Sequence, residues 1–318
     1  MTYKILNTIG EVYSAEARPI LEGLGSVTYA TPTQDELERI IGDYDILVVG
    51  LGLDINAGVM DAGVKLRIVA TATTGLDHID LVRAKERGVQ VVSLRGEDAF
   101  LDTITGTAEL ALALALMLSR QLPAAIEAVA RGEWQREDFR GHNLSERTLG
   151  VVGLGRLGRL MARYGEALGM HVLYSDPAVA AAPPWCERVS FAELLRRSDI
   201  ISIHVHLSPV TEHMFDAAAF EEMKPTAYLI NTSRDKIVDE AALLEALEAG
   251  QLAGYGTDVL SGEIGFAGRI PETHPLSRYS RTHPNIIIVP HIGGMTEESR
   301  IKTDVFIAEK VRHALSLS

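Results

Sequence analysis

Gly153, Gly155 and Gly158 carry the spacing G-x-G-x-x-G, and the chemistry that this spacing serves is the holding of a pyrophosphate. The first glycine makes a tight turn, the second lets the backbone approach the phosphates, and the third lets helix and strand pack closely. A helix starting there points bare N–H groups and the positive end of its dipole at the anion. The flanks suit the motif. Leu149, Gly150, Val151 and Val152 read as a buried strand, and the residues from Leu160 to Tyr164 continue as a helix. A second apolar run, 171–175, ends at Asp176. That is about 20 residues beyond the first glycine, where the fingerprint wants an acid for the adenosine ribose. A glycine turn alone is common, so the motif takes its weight from these flanks.

Three polar residues stand just past other predicted strands. Arg234 follows Ile230-Asn231-Thr232-Ser233, Glu263 follows Asp258-Val259, and His291 follows Val289-Pro290 and precedes Gly293-Gly294. Each alone has a bland reading: a surface ion pair, a solvated carboxylate, a satisfied loop histidine. Three of them beyond strand C-termini of a dinucleotide-binding sheet make a candidate site, because open α/β sheets bind ligands there. Thr73, Thr74 and Gly75 follow a further strand and are placed to offer N–H groups to an anion. A plain loop in which Asp77 caps a helix is an equal alternative.

Positioning these residues requires a regular scaffold, and the apolar runs supply one. Strands are expected near 5–6, 26–29, 45–49, 65–70 and 89–92, with helices over 14–24 and 35–41. Later strands are expected over 149–152, 171–176, 199–204, 227–231, 254–259 and 285–289, with a helix over 239–249. Strands alternating with helices imply parallel sheets. Residues 105–121 are apolar on nearly every side, so that helix is expected to be buried, joining domains or lying in an interface. A helix over 123–132, an irregular arm from Trp134 to Leu144 and a closing helix over 301–317 complete the pattern. The stretch 262–284 is rich in Gly, Pro and Arg and reads as irregular; loops of that length are often functional.

Composition narrows the classes. At 47% apolar and 23% charged residues the chain is ordinary globular protein rather than disordered. A formal net charge of −13 disfavours nucleic acid and anionic membranes as partners. Cys186 is the only cysteine, which forbids an intrachain disulfide and reads as an incidental thiol. The first residues lack the apolar core of a signal peptide, and the greasiest run, 110–118, is too short to span a bilayer. A soluble, cytoplasmic protein is expected.

Taken together, the motifs resemble the D-isomer-specific 2-hydroxyacid dehydrogenase family over essentially the whole chain. Leu149-Gly150-Val151-Val152-Gly153-Leu154-Gly155-Arg156-Leu157-Gly158 matches the family's cofactor loop. Asn231-Thr232-Ser233-Arg234 matches the segment of its active-site arginine, Asp258-Val259 with Glu263 that of its glutamate, and Pro290-His291-Ile292-Gly293-Gly294 that of its histidine. Thr107-Ala108-Glu109-Leu110 and Gly132-Glu133-Trp134 also fall where the family has similar residues. The resemblance implies an α/β fold of two doubly wound parallel-sheet domains. A Rossmann cofactor domain, 99–288, would be inserted in a flavodoxin-like substrate domain, 1–98 plus 289–318. It also implies a homodimer built on the helices between the domains.

The implied chemistry is hydride transfer between NAD(H) and a small 2-hydroxy or 2-keto acid, with no metal. Hydride arriving at a keto carbon leaves negative charge on oxygen, and His291 would supply the proton. Glu263 would favour the charged form of His291. Arg234 would hold the substrate carboxylate by a forked contact, helped by Thr73, Thr74 and Gly75. Cofactor contacts are expected from Thr107, Gly153, Gly155, Arg156, Leu157, Gly158, Asp176, His206, Thr211, Thr232, Ser233, Asp258, His291 and Gly293.

Departures from the family pattern bear on the substrate. Asp235 stands where glycine is usual, in a turn expected to need a left-handed backbone, and Ile264 where proline is usual. Gly50-Leu51-Gly52 and Thr71 replace arginines usual in phosphoglycerate dehydrogenases, which points to an unphosphorylated substrate such as glyoxylate or hydroxypyruvate. Arg269, Arg278 and Arg281 in the long loop could compensate, so phosphoglycerate oxidation is an alternative. A non-enzymatic, NAD-sensing co-repressor is another. Formate oxidation is disfavoured by Pro290 before the histidine. No arginine follows Asp176 directly, and the 2′-phosphate of NADP would face its carboxylate. Two like charges about 4 Å apart cost roughly 4 kcal/mol at an effective dielectric of 20. NAD is therefore expected to be preferred; comparable kcat/KM with NADP would contradict this.

Overall fold

The computed structural model describes residues 2–179, 181–266 and 268–316. The chain divides into two compact units: residues 1–103, 262–269 and 295–318 form the first, and 104–261 and 270–294 the second. The boundaries expected from the sequence differ from this division at 99–103, 262–269 and 289–294.

In the first unit the strands are β1 (Tyr3–Asn7), β2 (Gly25–Tyr29), β3 (Ile46–Val49), β4 (Ile68–Thr71) and β5 (Gln90–Val92). Their spatial order is β2-β1-β3-β4-β5 and every pairing is parallel. This is the flavodoxin-like order, with its switch point between β1 and β3. All residues of β3 and β4 are buried, because apolar side chains cover both faces of the sheet. The helix Glu297–Ser316 closes this unit, packing Ile307, Ala308, Val311 and Ala314 with Ile5, Val48, Ile68 and Val92. It starts earlier than the expected 301–317, whose last residue lies outside the described ones.

In the second unit the strands are β6 (Thr148–Val152), β7 (His171–Ser175), β8 (Cys186–Arg188), β9 (Ile200–Ile203), β10 (Tyr228–Asn231), β11 (Gly254–Thr257) and β12 (Ile286–Ile288). Their order is β12-β11-β10-β9-β6-β7-β8, again all parallel. The chain winds outward from β6 in both directions, so the switch point lies between β6 and β9. Two doubly wound sheets are thus present, as the sequence implies. The apolar helix Gly106–Ser119 packs Ala111, Leu114, Ala115 and Leu118 into the core of this unit beside Leu149, Val151 and Ile230. Its burial is incomplete, since Leu116 is exposed.

Several local expectations change. The helix expected over 14–24 is confined to Arg18–Glu22, where Pro19 in the first turn fixes its start. Strand β8 is not foreshadowed, because only one of its three residues is buried and no alternation is legible. Its Cys186 thiol is pushed up to about 11 by burial, which suits an inert side chain. The stretch 262–284 holds the helix Pro275–Ser280, and Tyr279 stacks on His283 with ring centroids 3.8 Å apart; residue 267 lies outside the described ones. Asp235 needs no left-handed backbone, since it opens a right-handed 3₁₀ turn, Asp235–Ile237. Among the described residues no single helix is long and apolar enough to cross a membrane. The pair Gly106–Ser119 and Leu122–Ala130, bent by 66°, passes by length and composition alone.

The closing helix carries a buried acid. Asp304 is 1% exposed, accepts from the Ser14 N–H at 3.2 Å and lies 3.3 Å from the Arg300 guanidinium. Burial raises its carboxyl above the ordinary carboxylate range, although Arg300 opposes this. A raised folded-state value means that the fold binds more protons than the unfolded chain, so this group's contribution falls as pH rises from the ordinary range through the raised value. Asp304→Asn lacks that titration. Thermal melts of variant and parent should therefore shift in the variant's favour between pH 4 and pH 7; a shift the other way would contradict the burial effect.

Candidate functional site

The glycine loop of the second unit assigns each glycine a separate steric task. Gly153 has φ +87°, and a Cβ there would stand 2.6 Å from the His204 carbonyl oxygen. A Cβ on Gly158 would stand 2.0 Å from the Gly153 carbonyl oxygen, so only glycine lets the helix Arg156–Ala167 start this close to β6. Gly155 caps that helix with an ordinary φ of −71°, and a Cβ there would meet nothing within 4 Å. The middle glycine is therefore not demanded by the protein's own packing. The open space lies at a helix N-terminus, where bare N–H groups attract phosphate. This fits a bound dinucleotide.

Asp176, just past β7, is held by its loop. One carboxylate oxygen accepts the Leu154 N–H at 2.8 Å; the other accepts Ala178 N–H at 2.8 Å and Val179 N–H at 3.2 Å. A carboxylate offers about four lone-pair sites, which leaves room for a further donor such as a ribose hydroxyl. The Arg156 side chain donates to the Ile104 carbonyl. Leu157 sits beside it in the first helical turn, half-buried.

The neighbouring strand ends bring further predicted residues to the same edge of this sheet. After β9, Thr211 Oγ1 accepts the Ser208 N–H at 2.8 Å and donates to the His206 carbonyl at 2.6 Å, which closes the loop that presents the exposed His206. After β10, Asn231 Nδ2 donates to the Arg234 carbonyl at 2.9 Å and Asn231 Oδ1 accepts the Ser233 N–H at 3.0 Å. The Ser233 hydroxyl donates to the Ile203 carbonyl at 2.8 Å, tying β10's tail to β9. The Arg234 guanidinium donates to the Ser233 carbonyl at 2.8 Å. Thr232 is 7% exposed, and its hydroxyl has no partner among the described residues.

His291 has φ +47°, a left-handed backbone that a non-glycine residue adopts only when its surroundings impose it. Its N–H reaches the carbonyls of Asp258 at 2.9 Å and Val289 at 3.0 Å. The Asp258 carboxylate, 3% exposed, accepts the Gly293 N–H at 2.8 Å. A Cβ on Gly293 would meet that carboxylate at 2.9 Å and Thr107 at 3.1 Å. Asp258, Thr107 and Gly293 thus fix the turn that aims His291.

His204, at the end of β9, is a residue that the sequence reading passed over. Its Nε2 is 2.9 Å from the Ser202 hydroxyl, its Nδ1 has no partner among the described residues, and burial lowers it to about 4. It is a half-buried histidine whose backbone carbonyl lies against Gly153 of the glycine loop. Its position one residue past β9 was the available signal.

The remaining candidates belong to the first unit. Thr73 Oγ1 donates to the Gly75 carbonyl at 2.7 Å and lies 3.1 Å from Thr71 Oγ1. The N–H groups of Thr74 and Gly75 have no acceptor among the described residues, so this loop offers an anion two donors. Glu263 opens the 3₁₀ turn Glu263–Gly265, directly after Gly262 at φ +78°.

These constraints separate stability from binding. Gly155→Ala should leave thermal stability nearly unchanged, since an N-cap exchange of this kind costs only about 0.5 kcal/mol, yet weaken NADH binding about tenfold by filling the open space. Gly158→Ala should destabilise the fold by about 2 kcal/mol or more. Melting curves and NADH fluorescence titration check both, and equal destabilisation by the two variants would contradict the division of tasks.

Residues 112–293 match the sequence pattern of the D-isomer specific 2-hydroxyacid dehydrogenase NAD binding domain. The chain is 33% identical over 284 residues to the hydroxypyruvate reductase of Thermotoga maritima, covering 89% of each protein. It is 35% identical over 305 residues to the D-3-phosphoglycerate dehydrogenase of Methanocaldococcus jannaschii, covering 94% of this chain and 55% of that one, so it spans about half the length of that relative. Its fold is similar to that of D-lactate dehydrogenase from Aquifex aeolicus complexed with NAD and lactic acid. The TM-score is 0.86 and the identity 27%, over 98% of this chain and 95% of the other. With a glycine loop shaped for a dinucleotide and a matching pattern over more than half its length, the chain belongs to the D-isomer specific 2-hydroxyacid dehydrogenase family and carries that family's NAD-binding domain.

Proposed function

We propose that this chain transfers a hydride between NAD(H) and a small, unphosphorylated D-2-hydroxy acid or 2-keto acid. The observation that carries the reading is the strained turn at His291, held by Asp258 in the same sheet edge as the glycine loop. Strain of this kind persists where function needs the geometry. NAD(H), when bound, supplies the hydride. The protein's own residues supply the rest. Gly153, Gly155, Gly158 and the helix behind them hold the phosphates, and Asp176 holds the adenosine ribose. Arg234 clamps the substrate carboxylate through two parallel N–H bonds and polarises the carbonyl beside it. The N–H groups of Thr74 and Gly75 are the first unit's candidate donors to an anion. His291 gives its proton to the carbonyl oxygen as negative charge develops there, and takes one back in the reverse direction. Glu263 is the carboxylate we assign to favouring the charged form of that imidazole. The first unit then acts as the substrate domain and the second as the cofactor domain.

The loops after β3 and β4, Gly50-Leu51-Gly52 and residues 71–75, carry no Lys or Arg, which supports an unphosphorylated substrate. A homodimer completes the reading. Leu116, Leu122, Ile126, Val129 and Trp134 are large apolar side chains exposed in the second unit, with Trp134 86% exposed, and exposed apolar side chains of this kind support a self-association surface there. The protein is read as cytoplasmic. Phosphoglycerate oxidation is the second reading, favoured by the Methanocaldococcus jannaschii relative.

NADH oxidation should be fastest with unphosphorylated 2-keto acids such as glyoxylate and hydroxypyruvate. A preference for a phosphorylated keto acid would select the second reading, and NADH binding without turnover across a broad panel would overturn both. His291→Asn should lower kcat by about 10²–10⁴-fold, and a loss under about tenfold would remove His291 from proton transfer. Ile126→Glu should convert a dimer to monomer in analytical ultracentrifugation, whereas an unchanged sedimentation coefficient would place the interface elsewhere.

A further inference from the structure

The edge strand β8 brings a cation to the loop that carries Asp176. Arg188 is the last residue of β8 and lies opposite Tyr174 of β7 in the parallel register. Its Nη2 donates to the carbonyls of Asp176 at 3.2 Å and Pro177 at 3.4 Å. No carboxylate pairs with it among the described residues. The adjacent Glu187 is taken instead by Arg197, at 2.7 Å. The Asp176 carboxylate is engaged elsewhere, by the N–H groups of Leu154, Ala178 and Val179. The guanidinium and the carboxylate thus flank one segment of backbone without neutralising each other. Arg188 is exposed, and its remaining N–H donors are free of partners among the described residues.

We propose that Arg188 forms a phosphate subsite beside the adenosine ribose, so that this chain discriminates NADH from NADPH by the balance of Asp176 against Arg188. The proposal rests on the reading that Asp176 faces that ribose. A 2′-phosphate brings about two negative charges and three acceptor oxygens, to which a planar guanidinium is the natural forked partner. Asp176 repels the same group. A ribose hydroxyl needs only the carboxylate. Sequence proximity hides this arrangement, since Arg188 comes to Asp176 only through the pairing of β8 with β7.

Equilibrium binding of NADH and NADPH to the full chain, followed by nucleotide fluorescence, tests this without knowledge of the substrate. Arg188→Gln should raise the ratio of the NADPH Kd to the NADH Kd about tenfold, the worth of one charge-assisted contact. Arg188→Lys should restore part of the loss, and high salt should shrink the difference. A merely structural Arg188 would weaken both nucleotides alike, which would overturn the proposal. Asp176→Ser should tighten NADPH about tenfold, and adding Arg188→Gln should remove that gain. If Asp176→Ser moves neither Kd while Arg188→Gln still selects against NADPH, the phosphate subsite stands and the ribose assignment of Asp176 falls. If Arg188→Gln leaves the ratio unchanged in both backgrounds, the subsite itself is excluded.

Discussion

The contact between Gly158 and the Gly153 carbonyl sets the geometry of the second unit. One hydrogen atom where any other residue has a carbon lets the helix Arg156–Ala167 begin against the end of β6. That approach points the helix N-terminus along the sheet edge and fixes the direction of Leu154, whose N–H is bound by Asp176. Move the helix away by one methyl radius, and the acid past β7 and the carbonyls past β9 lose the loop between them. The glycines are thus geometric necessities at positions 153 and 158, and an opening at 155.

Parallel pairing carries this constraint outward. Every strand of the second sheet ends at the same edge, so side chains far apart in sequence arrive there together. Hydrogen bonds then set their angles. Ser233 ties the tail of β10 to β9, Thr211 closes the loop past β9, and Asp258 holds Gly293. The unfavourable backbone at His291 is held in place by its N–H on the Asp258 and Val289 carbonyls, by Asp258 on the Gly293 N–H and by Thr107 against Gly293. Strain at one residue is offset by ordinary hydrogen bonds at several others, a common arrangement where a side chain must point one way.

Much of this was legible in the residues. Apolar runs mark eleven of the twelve strands among the described residues, and the glycine spacing with Asp176 marks the dinucleotide loop. What escaped depended on tertiary pairing. Strand β8 has three residues and one buried side chain, too little for periodicity to register. Its pairing with β7 is what brings Arg188 to Asp176. The family pattern places glycine at position 235, whereas the local turn is right-handed and asks nothing unusual of an aspartate. The positive φ of His291 has no signature in residue type at all. Nor does the lowered basicity of His204, which follows from the burial of its ring beside Ser202.

Hydride delivery to one face of a keto acid, with His291 protonating the oxygen, is the claim on which the functional reading turns. It is tested most directly by following a label. NADH carrying deuterium at both C4 positions of the nicotinamide is incubated with the protein and hydroxypyruvate or glyoxylate, and the product is analysed by mass and, for the chiral product, by configuration. The reading predicts deuterium on C2 of the hydroxy acid, and the D configuration when hydroxypyruvate is the substrate. An L product, or deuterium absent from C2, would contradict it.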